Sequence, residues 1–209
     1  MAAQPAVTVY HTPMSSSTRV AWALEELGLS YEKKRVDLAK GEQRTPEFLK
    51  LNPNGKVPVL VIDGKPMFES IAMILYLGET FGVDKGLFPA PGTDRAIAFQ
   101  WMVWAGVTLN EALQRYSRNT NERYPADQKN EAAAKAAHAD LQKLVGILEQ
   151  SLDGREYLVG PSFTLADLTV SSWIGYLGRQ GFDLSPYARV NAWQARCSSR
   201  PAMKRAAEA

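Results

Sequence analysis

Asn52–Leu77, NPNGKVPVLVIDGKPMFESIAMILYL, decides how this 209-residue chain folds, because it packs a strand, a turn, a second strand and a helix start into one run. Val57 to Ile62 is apolar and rich in β-branched residues, and Asp63-Gly64 follows it. Asp-Gly is the favoured pair for a two-residue hairpin turn, in which both central residues take positive φ. Lys65 to Glu69 then returns as the partner strand. Ile71, Ile74, Leu75 and Gly78 recur at helical spacing, so a helix begins at Glu69-Ser70, with Ser70 as its cap and Glu69 where the helix dipole favours negative charge. Pro58 has no N–H to give to a sheet and marks the strand's first residue. The base rate for X-Pro bonds favours a trans Val57–Pro58 bond; a cis bond would aim the main chain of Val57 outward as a small docking edge.

Outward from this stretch, Val7 to Tyr10 reads as a strand that ends at His11-Thr12-Pro13. Ser15, Ser16, Ser17 and Thr18 precede Val20, Leu24 and Leu27, which share one helical face and stop at Gly28. The serines cap that helix, a role that needs no chemistry. Tyr31 to Val36 is a second strand whose charges suit a sheet edge. Thr45 followed by Pro46 is a cap with proline at the first helical position, and it opens a short helix before Asn52-Pro53. Strand, helix, strand, helix, strand, hairpin, helix over residues 7–81 describes a thioredoxin-like α/β domain with a mixed sheet.

Glycines and prolines crowd between Phe81 and Thr93, so the expected division is a domain of residues 1–82, a linker of 83–92 and a second domain of 93–209. That second domain shows no strand alternation. Ile97, Trp101 and Trp104 repeat at helical spacing in a pattern continuing to about Arg118, and Leu141, Leu144, Leu148 and Leu152 do the same on a helix beginning near Gln128. It is expected to be all-helical, with its tryptophans serving the core more often than a ligand. Thr164 and Asp167 form a capping box flanked by Phe163 and Leu168, a structural device and not a catalytic one.

Bulk composition excludes several classes. Twenty-four basic and 22 acidic residues leave a net charge of +2, with no basic stripe of the kind that binds nucleic acid; Lys33-Lys34-Arg35 reads as solvated surface. Cys197 is the single cysteine, so there is no internal disulfide and no Cys-x-x-Cys pair, and a reducing, cytoplasmic location is expected. No apolar run approaches a membrane span, and MAAQPAV lacks the pattern of a secretory signal. His11 and His138, far apart and without acidic or cysteine companions at ligand spacing, predict no metal site. No glycine-rich phosphate loop points to a nucleotide.

Gly-Lys-Val-Pro-Val-Leu, then Asp-Gly, then Glu-Ser-Ile-Ala and Tyr-Leu resembles the glutathione-binding half of soluble glutathione transferases. The segment Tyr157 to Leu168 resembles a folding segment of that family's helical domain, so the likeness covers nearly the whole chain, out to Trp193 and Arg200-Pro201. The resemblance is to a bacterial-like member with a theta- or phi-like serine. It implies a thioredoxin-like N-terminal domain, an all-helical C-terminal domain, a cytoplasmic homodimer, and glutathione as co-substrate without a metal. It also implies a cis Pro58, main-chain pairing of Val57 with the cysteinyl backbone of glutathione, and a grip on the γ-glutamyl group by Glu69 and Ser70. Lys56, and less directly Arg44, would meet the glycyl carboxylate.

Conjugation to an apolar electrophile needs the glutathione thiolate, since a thiol with a pKa of about 8.5 is mostly protonated near neutrality. A helix N-terminus and a hydroxyl donor both favour the anion. Ser15 is the expected catalytic residue, because it stands four residues before Arg19, the spacing that theta-like and delta-like members show. Ser16 occupies the register of the cysteine in beta-class members, and Tyr10 is the tyrosine alternative of alpha, mu and pi members, set back inside the strand. Met14 and Trp104 are candidates for the electrophile's cleft. A glutathione-dependent disulfide reductase or peroxidase, an ether-cleaving enzyme or a non-catalytic binding module would use the same scaffold.

Overall fold

Both residues at the tip of the hairpin take positive φ, 49° at Asp63 and 77° at Gly64, which is the turn that Asp-Gly encodes. The computed structural model describes residues 5–207. By contact they form two units, one of residues 5–89 with 199–207 and one of residues 90–198.

The first unit is built on a four-stranded sheet in the order β2-β1-β3-β4: β1 Val7–His11, β2 Glu32–Arg35, β3 Val59–Ile62 and β4 Lys65–Met67. β2 runs parallel to β1, and β3 runs antiparallel to both β1 and β4, so the sheet is mixed as expected. The charged β2 lies at one edge, and β4, which carries Pro66, lies at the other. Pairing of Val9 with Leu60 and of Tyr10 with Val59 sends alternate side chains to opposite faces. Val9 and Leu60 are fully buried on one face. Tyr10 and Val59 join Val36 and Phe48 in a cluster on the other, with Phe48 supplied by helix α2, Pro46–Leu51. Thr45 caps α2 by accepting the Phe48 N–H at 3.3 Å.

Helix α1, Ser17–Leu27, packs beside α3, Ser70–Leu77, and ends at Gly28 in the left-handed conformation, as the sequence predicts. The helix expected to be capped by Ser70 has Glu69 at its cap, with φ 70°, and Ser70 lies within its first turn. The carbonyl of Glu69 accepts the Met73 N–H at 3.0 Å, which moves the cap one residue earlier. Gly78 has a packing reason: a Cβ there would meet the buried Phe88 ring at 2.6 Å. Phe88 and Lys85, whose ammonium donates to the Leu27 carbonyl, tie the first part of the expected linker to the sheet unit, and the break falls between Pro89 and Ala90.

Residues 199–207 were expected with the helical domain but group with the sheet unit. Helix α9, Pro201–Ala207, lies against α1 with Ala202 and Ala206 buried. Arg200 makes a two-pronged bond to Glu26 at 2.6 and 2.7 Å, and Arg205 bonds Glu25 at 2.7 Å. No local sequence signal distinguishes a helix that caps its own domain from one that returns to another.

In the second unit every described element is helical: α4 Thr93–Trp104, α5 Asn110–Thr120, α6 Glu131–Ser151, α7 Leu165–Arg179 and α8 Ala188–Ser198, with short 3-10 and π turns between some of them. The helix expected to run to Arg118 is divided by a π turn over Ala105–Leu109. Asn130 caps α6, and Ala137, Leu141, Val145 and Leu148 form its buried stripe. Asp167 lies at the centre of the capping box: its carboxylate accepts the Thr164 N–H and O–H, the Leu158 N–H and the Trp193 indole N–H, all within 3.0 Å. Burial pushes this carboxyl up from its ordinary range, against the pull of those donors. Among the described residues no helix is long and apolar enough to cross a membrane.

Candidate active site

Sheet register gathers the expected site at one end of the first unit. Tyr10 pairs with Val59, so continuation of the two strands carries the β1–α1 turn past Val57 and Pro58. Leu60 pairs with Met67, so the same continuation carries Glu69 and Ser70 to that end. The Val57–Pro58 bond is cis, as the resemblance implies. Pro58 is buried and Val57 half-buried, with Val57 packed on the Val36, Phe48 and Val59 cluster.

The turn before α1 is a tight hydroxyl network. Thr12 Oγ1 donates to the Val36 carbonyl at 2.6 Å, which pins the turn to the strand after β1. Ser15 Oγ donates to the Thr12 carbonyl at 2.7 Å, accepts the Ser17 N–H at 3.1 Å, and lies 2.8 Å from Ser17 Oγ. Ser15 therefore acts as the cap that the serine cluster predicts, with its hydroxyl turned inward. Ser16 is half-buried, and its Oγ has one contact, the Val57 carbonyl at 3.5 Å, at the outer limit of a hydrogen bond. That hydroxyl is the one directed toward the Val57 main chain, a distinction that serine spacing alone does not carry. Tyr10 stands edge-on to Phe48 at 6.0 Å in the opposite face's cluster.

Glu69 is exposed, and its φ of 70° is an outlier for a non-glycine residue, the kind of strain that collects at functional sites. Ser70 is half-buried at the start of α3. Lys56 is exposed, and its carbonyl accepts from Asn52 Nδ2 at 2.6 Å; the buried Asn52 thus fixes the loop that leads to Val57. Arg44 is exposed at the end of a short 3-10 turn. Met14 takes φ 57° at the crest of the β1–α1 turn, 89 % exposed, beside a small cavity of the sheet unit. Trp104, in the helical unit, is half-buried and lies edge-on to Trp101 at 5.2 Å. Arg19 is buried in α1, and burial pulls its guanidinium down to about 9. Among the described residues no three His, Cys, Asp or Glu side chains gather as metal ligands.

The stretch that holds this cis-proline edge, hydroxyl-rich helix start and strained glutamate lies within a family match. Residues 5–79 match the glutathione S-transferase N-terminal domain and residues 107–201 match the glutathione S-transferase C-terminal domain. The chain belongs to the glutathione S-transferase family. It is 33 % identical over 204 residues to the disulfide-bond oxidoreductase YfcG of Escherichia coli strain K12, covering 94 % of this chain and 92 % of the relative. Among solved structures it resembles the glutathione transferase URE2P8 of Phanerochaete chrysosporium with oxidized glutathione, at 30 % identity and a TM-score of 0.87, over 100 % of this chain and 96 % of that one. It also resembles a glutathione transferase of Burkholderia graminis with two glutathione molecules bound per subunit, at 28 % identity and a TM-score of 0.89, over 98 % and 88 % of the two chains.

Proposed function

We propose that this protein binds glutathione at the Val57–Pro58 edge, holds its sulfur as thiolate over the Ser15–Ser17 turn, and delivers it to an electrophilic substrate with an apolar body. The observation that carries the proposal is the Ser16 hydroxyl, weakly engaged at 3.5 Å from the Val57 carbonyl, where the cysteinyl backbone would pair. Ser15 was the residue expected from its spacing to Arg19. Its hydroxyl already serves Thr12, so Ser16 is the better-placed sulfur donor and Ser15 the residue that shapes the turn. The start of α1 adds the field of a helix N-terminus, which favours the anion. Exposed Glu69 with Ser70 would take the γ-glutamyl group, and Lys56 with Arg44 the glycyl carboxylate, since both cations are exposed and neither is paired with a carboxylate among the described residues. Met14, exposed at the crest of the β1–α1 turn, is assigned to the electrophile.

A second reading, reduction of glutathione mixed disulfides, is favoured by the likeness to a disulfide-bond oxidoreductase. The single cysteine, Cys197, is buried in the helical unit, so such a reaction would run on glutathione sulfurs alone. A cytoplasmic homodimer belongs to the same proposal; exposed Val103 and Val107 offer apolar surface for association. Parallel assays with a chloronitrobenzene, an organic peroxide and a glutathione mixed disulfide separate the readings. Glutathione conjugation of the chloronitrobenzene supports transfer. Turnover of the disulfide alone would replace transfer by reduction, and failure of all three with glutathione still bound would leave a binding module.

A further inference from the structure

The cavity beside the β1–α1 turn carries charge that the proposed glutathione site does not use. It encloses about 80 Å³, and its lining mixes apolar Val9, Ala21 and Ala206 with His11, Thr18 and Lys33. Val9 pairs with Lys33 and His11 with Arg35, so strand alternation puts His11, Lys33 and Arg35 on the face where Val9 is buried. Lys33 is half-buried, its ammonium 5.2 Å from the centre of the Tyr31 ring. Among the described residues no carboxylate is paired with Lys33 or Arg35. Glu32 alternates to the other face, where it accepts from Thr8 and pairs with Lys34. Glu25 is taken by the Tyr31 hydroxyl at 3.0 Å and by Arg205 at 2.7 Å. The cavity therefore has an apolar floor and, in its wall, one cation without a carboxylate partner, Lys33, with exposed Arg35 on the same face outside the lining. His11 registers that field: burial first, then Lys33 and Arg35, hold its pKa below the ordinary histidine value.

We propose that this cavity is a carboxylate subsite, so that the substrate meeting the glutathione sulfur is an organic acid with an apolar body. The assignment deepens the function proposed above and rests on it for the identity of the co-substrate. The cavity also reaches Thr12, Met14 and Ser17, and Ser17 Oγ lies 2.8 Å from Ser15 Oγ. A carboxylate seated there is thus adjacent to the turn over which the thiolate is held. A water needs about 10–15 Å³ by the same measure, so there is room for about five to eight small groups, a carboxylate with part of its apolar body and not a whole tripeptide. One half-buried lysine matches a monoanion better than a phosphate dianion.

The test needs no turnover. Benzoate is titrated into the glutathione-free protein while the imidazole signals are followed by NMR; with only two histidines, His11 is assigned by comparison with a His138 variant. Benzoate should move the His11 signals, neutral benzamide should not, and Lys33→Gln should weaken benzoate binding about tenfold. Equal benzoate affinity in Lys33→Gln, or equal binding of benzoate and benzamide, overturns the subsite. Glutathione calorimetry on the same proteins tests the thiol site separately: intact glutathione binding with no response to benzoate removes the subsite alone. With matched chloronitrobenzenes, Lys33→Gln should lower kcat/KM for the carboxylated compound about tenfold and leave the neutral one unchanged; equal losses for both would also overturn the assignment.

Discussion

Ser15 and Ser16 are neighbours with opposite commitments, and replacing each by alanine should separate stability from catalysis. Ser15→Ala removes the 2.7 Å bond to the Thr12 carbonyl and the acceptor of the Ser17 N–H, and Ser17 is buried. With each such bond worth about 0.5–1.5 kcal/mol net, and a stranded buried donor adding to the loss, the variant should lose about 2–3 kcal/mol. For a chain of this size that lowers Tm by about 4–12 °C. Ser16→Ala removes only a 3.5 Å contact and should change stability by less than about 0.5 kcal/mol. Turnover should show the reverse order. Loss of a donor to a developing anion costs up to about 10²–10³-fold in oxyanion sites, and about tenfold is expected for Ser16→Ala because the helix terminus remains. The assay pairs thermal melts with initial rates on the chloronitrobenzene at 25 °C. Unchanged turnover in Ser16→Ala with a collapse in a normally melting Ser15→Ala would refute the division of labour and return the catalytic role to Ser15.

Three further outcomes follow from packing and charge. Gly78→Ala would drive a Cβ to 2.6 Å from the Phe88 ring, and the overpacking should cost about 1–3 kcal/mol in urea denaturation, with Phe88→Leu in the same chain recovering part of it. Asp167→Ala strands four donors in the helical core and should cost about 3 kcal/mol or more by calorimetry, while glutathione affinity of the folded fraction stays unchanged. His11 should titrate below the ordinary value of 6.5 by NMR, and Lys33→Gln should bring it part of the way back. The sign is set by a lowered folded-state pKa in a base: below about pH 6.5 the unfolded chain binds more protons, so this histidine's contribution to stability falls as the solution is acidified through that window.

Features written in local chemistry were legible before the structure. Asp63-Gly64 requires a turn with two positive φ values, Thr45-Pro46 caps and opens α2, and Thr164 with Asp167 closes a box, because each signal spans four residues or fewer. What depended on distant partners was not legible. Gly78 reads as a gap in a helical face until the Phe88 ring fills it, and α9 reads as the end of a helical domain until Glu26 binds Arg200 just before it and Glu25 binds Arg205 within it. Spacing to Arg19 singles out Ser15 in the sequence but says nothing of where each serine hydroxyl points. Only the Thr12 and Val57 carbonyls, which face Ser15 and Ser16 respectively, tell them apart. The cation of the small cavity was hidden for the same reason, since Lys33-Lys34-Arg35 looks like solvated surface until strand alternation turns Lys33 away from Glu32 and into the lining.

The central claim is that this protein binds glutathione and holds it ionised, and the direct measurement is the ultraviolet absorbance of the bound thiolate as a function of pH. Glutathione on the wild-type protein should ionise at least one unit below the ordinary thiol value of about 8.5, and in Ser16→Ala its pKa should move back toward that value. A titration that overlays free glutathione, or no saturable absorbance at all, would contradict the account.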